Sequence, residues 1–431
     1  MYDKQKIRNL FPGLENKVPL KNGHKITGIN FDNAATTPPL LYGLECMEEF
    51  APWYSSIHRG AGYKSIKTTE LYDKSRDKVL EFVNADKNKC TVIYVKNTTE
   101  ALNKLSYRLI KSNMEVVLST SMEHHSNDLP WRSKCIVDYV DINKDGTLNI
   151  SDLKNKIIKY KGRLKLITIT AASNVTGAIN DIHHIARLAH EAGALIVVDG
   201  AQYVPHKKIS MRGISPLEDI DYLVFSAHKM YAPFGIGAIV GRKDLLDSGD
   251  PEYSGGGTIK LVTKSKVIWD DEPMRDEAGT PNVLGVISLI ASINMLKALD
   301  LDELYFEEKN LTKYLMYNLT QLPVKIYGPM NPNNKVGIVS FTIPRLRHSY
   351  IAKTLSNNFG IAVRSGCFCA HPYVEKLLDI SEEEMERYIK NPNLEKPGLV
   401  RASLAMYNTK NEVDRFIDAV YKICAFNNIK S

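Results

Sequence analysis

The segment Tyr222-Leu-Val-Phe-Ser-Ala-His-Lys229 runs apolar and then turns polar at Ser226, His228 and Lys229. A lysine amine where a strand ends can condense with an aldehyde and form a Schiff base. The same pattern also suits a plain surface lysine. Asp199 ends another apolar run, Leu195-Ile-Val-Val-Asp-Gly-Ala-Gln202. A carboxylate there can pair with a cationic ring nitrogen, with Gln202 on a ring oxygen, or it can simply cap a helix. In Asn97-Thr-Thr-Glu100 the first and last residues have capping-box spacing. The start of a helix offers free amides and a favourable dipole to an anion, and Thr98 and Thr99 add hydroxyls. An ordinary cap has the same spacing. His124, in Met122-Glu-His-His-Ser126, can stack on a planar ring and shuttle protons. Composition gives His125 beside it no separate role.

Two features lie later. Arg364-Ser-Gly-Cys-Phe-Cys-Ala-His-Pro372 sets Cys367 and Cys369 two apart on a glycine-containing loop. Zinc sites commonly use Cys-x₂-Cys with a second pair, and no second pair is present, so no metal is expected. A nucleophilic thiolate is the more specific reading, and a pair of inert thiols the plainer one. Leu399-Val-Arg-Ala-Ser-Leu404 carries Arg401, whose planar guanidinium can clamp a carboxylate. Gly235-Ile-Gly237-Ala-Ile-Val-Gly241 has the wrong spacing for a dinucleotide loop and runs into a strand.

These residues need elements to hold them. Short β-branched runs predict strands over 91–95, 115–119, 136–140, 165–170, 194–199, 222–226 and 236–241. Helical patterns, such as 98–109 and 182–192, lie between most of them. The alternation predicts an α/β fold with an open, mostly parallel sheet flanked by helices. Ligands then sit beyond the carboxyl ends of the strands. After about residue 300 the texture changes: helices over 301–319, 350–358 and 411–424 and a strand over 336–343 suggest a smaller α+β domain. The expected division is an arm over 1–29 associated with the small domain, a large domain over 30–299, and a small domain over 300–431 with the cysteine loop and Arg401. The polar stretch 381–397 reads as an excursion between two elements of that domain.

Composition narrows the function. Of 431 residues, 44% are hydrophobic and 24% charged, which excludes a disordered chain. A net charge of +7 over this length gives no reason to expect nucleic acid or a membrane surface as partner. No apolar run reaches membrane-spanning length; 283–299 is broken by Ser288, Ser292 and Asn294. The charged first residues lack an apolar signal core, and six cysteines are too few for a disulfide scaffold, so a cytoplasmic location is expected.

Taken together, the motifs resemble those of class V aminotransferases, a branch of the fold-type-I pyridoxal phosphate (PLP) enzymes. Within that branch the chain looks most like the SufS-type (group II) cysteine desulfurases and selenocysteine lyases. The likeness runs from Asn30-Phe-Asp-Asn-Ala-Ala-Thr36 to Arg401-Ala-Ser-Leu-Ala-Met-Tyr-Asn408. It includes Ile57-His-Arg-Gly60, Glu123-His-His-Ser126, Ser173-Asn-Val-Thr-Gly177 and Glu277-Ala-Gly-Thr-Pro-Asn282. The resemblance implies that Lys229 carries PLP, with Asp199 on the ring nitrogen, Gln202 on the ring oxygen and His124 stacked on the ring. Thr98, Thr99, Ser226 and His228 would hold the phosphate. Thr280 would reach the phosphate of a neighbouring subunit, implying a homodimer. Asn174 and Arg401 would hold the substrate, His58 and Arg364 would line its pocket, and Cys369 would be the nucleophile. The implied activity converts L-cysteine to L-alanine and passes sulfur through a Cys369 persulfide to an acceptor protein. Selenocysteine or cysteine-sulfinate lyase, aminotransferase and epimerase chemistry remain alternatives. Two departures stand out: Cys367, where such enzymes often lack cysteine, and a longer stretch between Pro372 and Arg401.

Overall fold

The computed structural model describes residues 3–246 and 249–429. Its centre is a seven-stranded sheet in the order Cys90–Val95, Gly237–Arg242, Tyr222–Ser226, Leu195–Asp199, Leu164–Thr170, Val116–Thr120 and Ile136–Val140. Gly237–Arg242 runs antiparallel to both neighbours, and the remaining pairings are parallel. Strands covered on both faces need apolar residues at every position. Cys90–Val95, Val116–Thr120 and Tyr222–Ser226 are accordingly buried throughout. The seven strands expected for this sheet lie within a residue of the observed ones.

Helices cover both faces. Ile182–Glu191 buries Ile182, Ile185, Ala186 and Ala189, one helical stripe. Val283–Ala298 is apolar around most of its surface and buried inside the protein. Among the described residues, no single helix is long and apolar enough to cross a membrane. Helix Tyr63–Phe82 has no counterpart in the expected elements. Its buried face is Ser65, Thr68, Tyr72, Ser75, Arg76, Val79 and Leu80, which has helical spacing but little apolar signal.

The later residues form a four-stranded antiparallel sheet in the order Lys325–Tyr327, Ile338–Thr342, Leu399–Ser403 and Arg364–Gly366. Helices Leu301–Leu319, His348–Phe359 and Lys410–Phe426 pack with it around Phe341, Leu355 and Phe416. The arm joins in two ways. Ile29–Asn30 pairs in parallel with Ile361–Ala362, beside the small sheet. Phe11 packs against Tyr231 and Tyr407, at ring-centroid distances of 5.4 and 5.1 Å, where the two regions meet. Within the stretch expected to be an excursion lies helix Glu382–Lys390, which buries none of its residues. Ser381 caps it, Glu382, Glu383 and Glu384 fill its first turn, and Arg387 and Lys390 its last, as the helix dipole favours.

Candidate active site

The carboxyl ends of three parallel strands deliver Thr170, Asp199 and Ser226 to one place. There a cavity of about 360 Å³ opens. Its walls include Thr98, Thr99, His124, Asn174, Asp199, Gln202, Ser226, His228, Lys229, Arg364, Cys369 and Arg401. Twelve of the expected site residues, spread over some three hundred positions, are thus brought together. His58 and Thr280 are not among the residues lining this cavity. The His58 ring faces Asp73 at 3.3 Å, and Thr280 is exposed on the loop before helix Val283–Ala298.

One end of the cavity is rich in hydroxyls. Helix Thr98–Leu109 starts there, with Asn97 accepting from the Glu100 amide at 3.0 Å. The Thr98 amide donates to Ser226 Oγ at 2.8 Å, and the Thr98 and Ser226 hydroxyls lie 2.7 Å apart. The Thr99 and Ser126 hydroxyls lie 2.6 Å apart. His228, on the turn Ala227–Lys229, faces the Thr36 hydroxyl at 3.2 Å. Gly237 makes this possible: a Cβ there would sit 2.7 Å from Phe225 O and 3.1 Å from Asn97 Cα. The glycine of the false dinucleotide loop thus lets the antiparallel strand run close to the helix start.

The middle of the cavity holds the titratable groups. Lys229 is half-buried, and loss of water around its amine lowers the pKa to about 8, with Asp199 opposing the shift and Arg401 adding to it. Burial raises the pKa of Asp199, against the Ala201 amide, which donates to Oδ1 at 2.9 Å, and the Lys229 charge. His124 Nδ1 accepts from the Ser126 amide at 3.1 Å, which assigns the ring proton to Nε2. Burial, then the Lys229 charge, lowers the His124 pKa to about 3, so the ring is neutral. Burial likewise takes His228 down to about 4. Gln202 donates Nε2 to Ala34 O at 2.7 Å, which fixes its amide on the wall.

The far wall belongs to the small sheet. Arg401 and Arg364 sit directly opposite each other on adjacent strands. Asp32 lies between them, 3.2 Å from Arg401 Nη2 and 3.0 Å from Arg364 Nη2. Arg401 is 3% exposed, donates Nη1 to Asn174 O at 2.8 Å, and lies 4.9 Å from the Phe368 ring centroid. Burial lowers its pKa to about 10, and its Nε has no hydrogen-bond partner. Two cations against one carboxylate leave a net positive wall. Such a wall suits one more carboxylate.

The two cysteines differ. Cys369 is exposed and lines the cavity. It and Phe368 have φ of 54° and 53°, in the left-handed region. The Phe368 carbonyl accepts from Asn174 Nδ2 at 2.7 Å, and the Cys369 carbonyl from the His125 amide at 2.7 Å. Cys367 points elsewhere: its Sγ donates to Pro397 O at 3.1 Å, and burial raises its pKa to about 11. Asp32, Ser126 and Phe368 belong to the site without having been singled out. All three stood inside recognised motifs but had no role there.

The aminotransferase class-V family model matches residues 29–416. Cysteine desulfurase from Cronobacter sakazakii is 33% identical over 429 residues, covering 97% of this chain and 98% of that one. A probable cysteine desulfurase from Synechocystis is 33% identical over 97% of this chain and 95% of its own length. The apo structure of cysteine desulfurase from Thermococcus onnurineus superposes with a TM-score of 0.86 at 30% identity, covering 99% of both chains. The S-sulfonic acid structure of the Escherichia coli cysteine desulfurase CsdA gives 0.82 at 26%, again over 99% of both. With a family match spanning most of its length and full-length relatives of one kind, the chain belongs to the class-V aminotransferases, among their PLP-dependent cysteine desulfurases.

Proposed function

We propose that this chain is a cysteine desulfurase that uses PLP to convert L-cysteine to L-alanine and delivers the sulfur, through Cys369, to an acceptor protein. One observation carries the reading: the Lys229 amine, the Asp199 carboxylate, the Arg401 guanidinium and the Cys369 thiol line a single cavity.

The residues present fit PLP. The hydroxyl-rich helix start suits a phosphate, supported by Thr98, Thr99, Ser126, Ser226 and His228. The unpartnered Nε of Arg401 on the opposite wall supports a further anionic ligand there. Lys229, Asp199, Gln202 and the neutral His124 ring lie between them. When bound, PLP supplies an aldehyde for amine exchange and a cationic ring that draws electrons from the substrate α-carbon.

The chain's own groups do the rest. Asp199, ionised, keeps a ring nitrogen protonated by pairing with it. Arg401 binds the cysteine carboxylate and orients the α-carbon; Asp32 and the Asn174 carbonyl hold the guanidinium for that task. Lys229 Nζ, with a pKa of about 8, exists in both protonation states near neutral pH, which suits a group that takes the α-proton and later returns one. Cys369 Sγ, as thiolate, attacks the cysteine sulfur. The new S–S bond forms as the C–S bond breaks, its electron pair goes to the carbon side, and protonation there gives alanine. Cys369 keeps the sulfur as a persulfide. Its exposure supports onward transfer to an acceptor.

The same reading includes a homodimer in the cytoplasm, with the exposed Thr280 reaching a second subunit's phosphate site. His58 then lines the pocket only in the assembled enzyme. Purified protein incubated with PLP, cysteine and a thiol reductant should yield equal amounts of alanine and sulfide. Borohydride reduction followed by peptide mapping should leave the cofactor on Lys229. An unmodified Lys229 in cofactor-loaded protein would sink the proposal.

A further inference from the structure

His125 has no part in the chemistry above, yet it grips the segment that carries Cys369 at two points. Its backbone N–H donates to Cys369 O at 2.7 Å. Its ring Nε2 accepts from the His371 backbone N–H at 3.3 Å and faces His371 Nδ1 at 3.0 Å. The rings lie 8° from parallel, with centroids 4.8 Å apart. His125 stands in the turn His125–Asn127, beyond strand Val116–Thr120 of the large sheet. His371 opens helix His371–Leu378, two residues after the cysteine. The contact therefore joins the large sheet to the small domain at the reacting sulfur.

The backbone there needs such a tie. Phe368 and Cys369 are both non-glycine residues with positive φ. That conformation persists only where the surroundings over-determine it. Asn174 holds the Phe368 carbonyl, His125 the Cys369 carbonyl, and the His125 ring the first amide of the following helix. For Nε2 to accept, the His125 proton must sit on Nδ1, and His371 Nδ1 must then donate. The grip needs a neutral His125, whereas His371 Nδ1–H donates whether its own ring is neutral or protonated. His124, Asp128 and Arg132 stand around His125, and Lys396 near His371.

We infer that His125 is a positioning residue for the persulfide-forming step: through Nε2 it locks the start of helix His371–Leu378, and so fixes where the Cys369 thiol meets the substrate sulfur. The inference rests on the desulfurase reading of the cavity. A thiol misplaced by about 1 Å can cost on the order of a hundredfold in rate.

The test uses the PLP-loaded enzyme with His125→Ala, His125→Gln and Cys369→Ala. His125→Ala keeps the backbone N–H and loses the ring acceptor. Its kcat for alanine release from cysteine should fall by about tenfold or more, with KM and cofactor absorbance within about twofold of wild type. His125→Gln, whose side-chain oxygen can accept in place of Nε2, should recover about a third or more of the lost rate. A kcat for His125→Ala within twofold of wild type would overturn the inference. So would a glutamine variant as slow as the alanine one, or parallel loss of cofactor in both. If Cys369→Ala turns over cysteine normally, the desulfurase reading itself fails. If Cys369→Ala is inactive and His125→Ala is not, only the inference fails.

Discussion

Replacing Cys369 with alanine removes the thiol that faces the cavity and leaves Cys367 two residues away. Whether Cys367 can substitute follows from its surroundings. Its Sγ is turned to Pro397 O at 3.1 Å, and burial raises its pKa to about 11. At pH 8 roughly one such thiol in a thousand is ionised, and only the thiolate attacks sulfur. Because an ordinary thiol is itself only partly ionised at pH 8, Cys369→Ala should release sulfide from cysteine at less than about a hundredth of the wild-type rate. Any residue should climb about tenfold per pH unit toward 11, as the Cys367 thiolate fraction does. Cys367→Ala should stay within about threefold of wild type. The assay is alanine and sulfide from cysteine with a thiol reductant across pH 7–10, with mass mapping of the persulfide after a single turnover. Sulfide release by Cys369→Ala above about a hundredth of wild type, with no rise in pH dependence, would refute the reasoning. A persulfide mapped to Cys367 in the wild-type protein would do the same.

Asp199→Asn keeps the shape of the carboxylate but not its charge; cofactor absorbance should persist while alanine formation drops by roughly a hundredfold or more. Cofactor-stripped protein should recapture PLP faster as pH rises through about 8, because below that value Lys229 Nζ is protonated and cannot attack; stopped-flow absorbance reads this directly. Glu277 accepts from both Nη atoms of buried Arg76, from Tyr72 and from the Tyr94 amide, so Glu277→Ala should cost about 3–5 kcal/mol in denaturant melts. His190 has its pKa raised above 6.5, first through its hydrogen bond to buried Asp221, 2.9 Å away. That stabilisation is complete below pH 6.5 and is lost as pH rises through the folded value. The melting-temperature gap between wild type and His190→Gln should therefore be wider at pH 6 than at pH 8.5.

Strands such as Tyr222–Ser226 could be read from sequence because every position is buried, so an unbroken apolar run marks both the strand and its bounds. Helix Tyr63–Phe82 could not, because it turns Ser65, Thr68 and Arg76 inward and its hydrophobic period vanishes. The site divides the same way. Asp199 declares itself by ending an apolar strand, and Lys229 by following one closely. Asp32 does not, because its meaning comes from Arg401, 369 positions away. His125 was visible only as an unexplained neighbour of His124; its partner His371 lies 246 positions on. The contrast between Cys367 and Cys369 also rests on backbone direction, which no spacing encodes.

Because two arginines face each other across neighbouring strands, the small sheet carries a repulsion that it cannot settle by itself. Asp32, on the N-terminal segment that bridges to Ser403 of the same sheet, settles it. Asp32 thus half-neutralises the pair, and under the proposed reading a substrate carboxylate shares or displaces that partner. Thiols lacking a carboxylate, such as cysteamine, bring nothing to that exchange. Under the proposed role of Arg401, cysteamine should therefore be turned over far more slowly than cysteine.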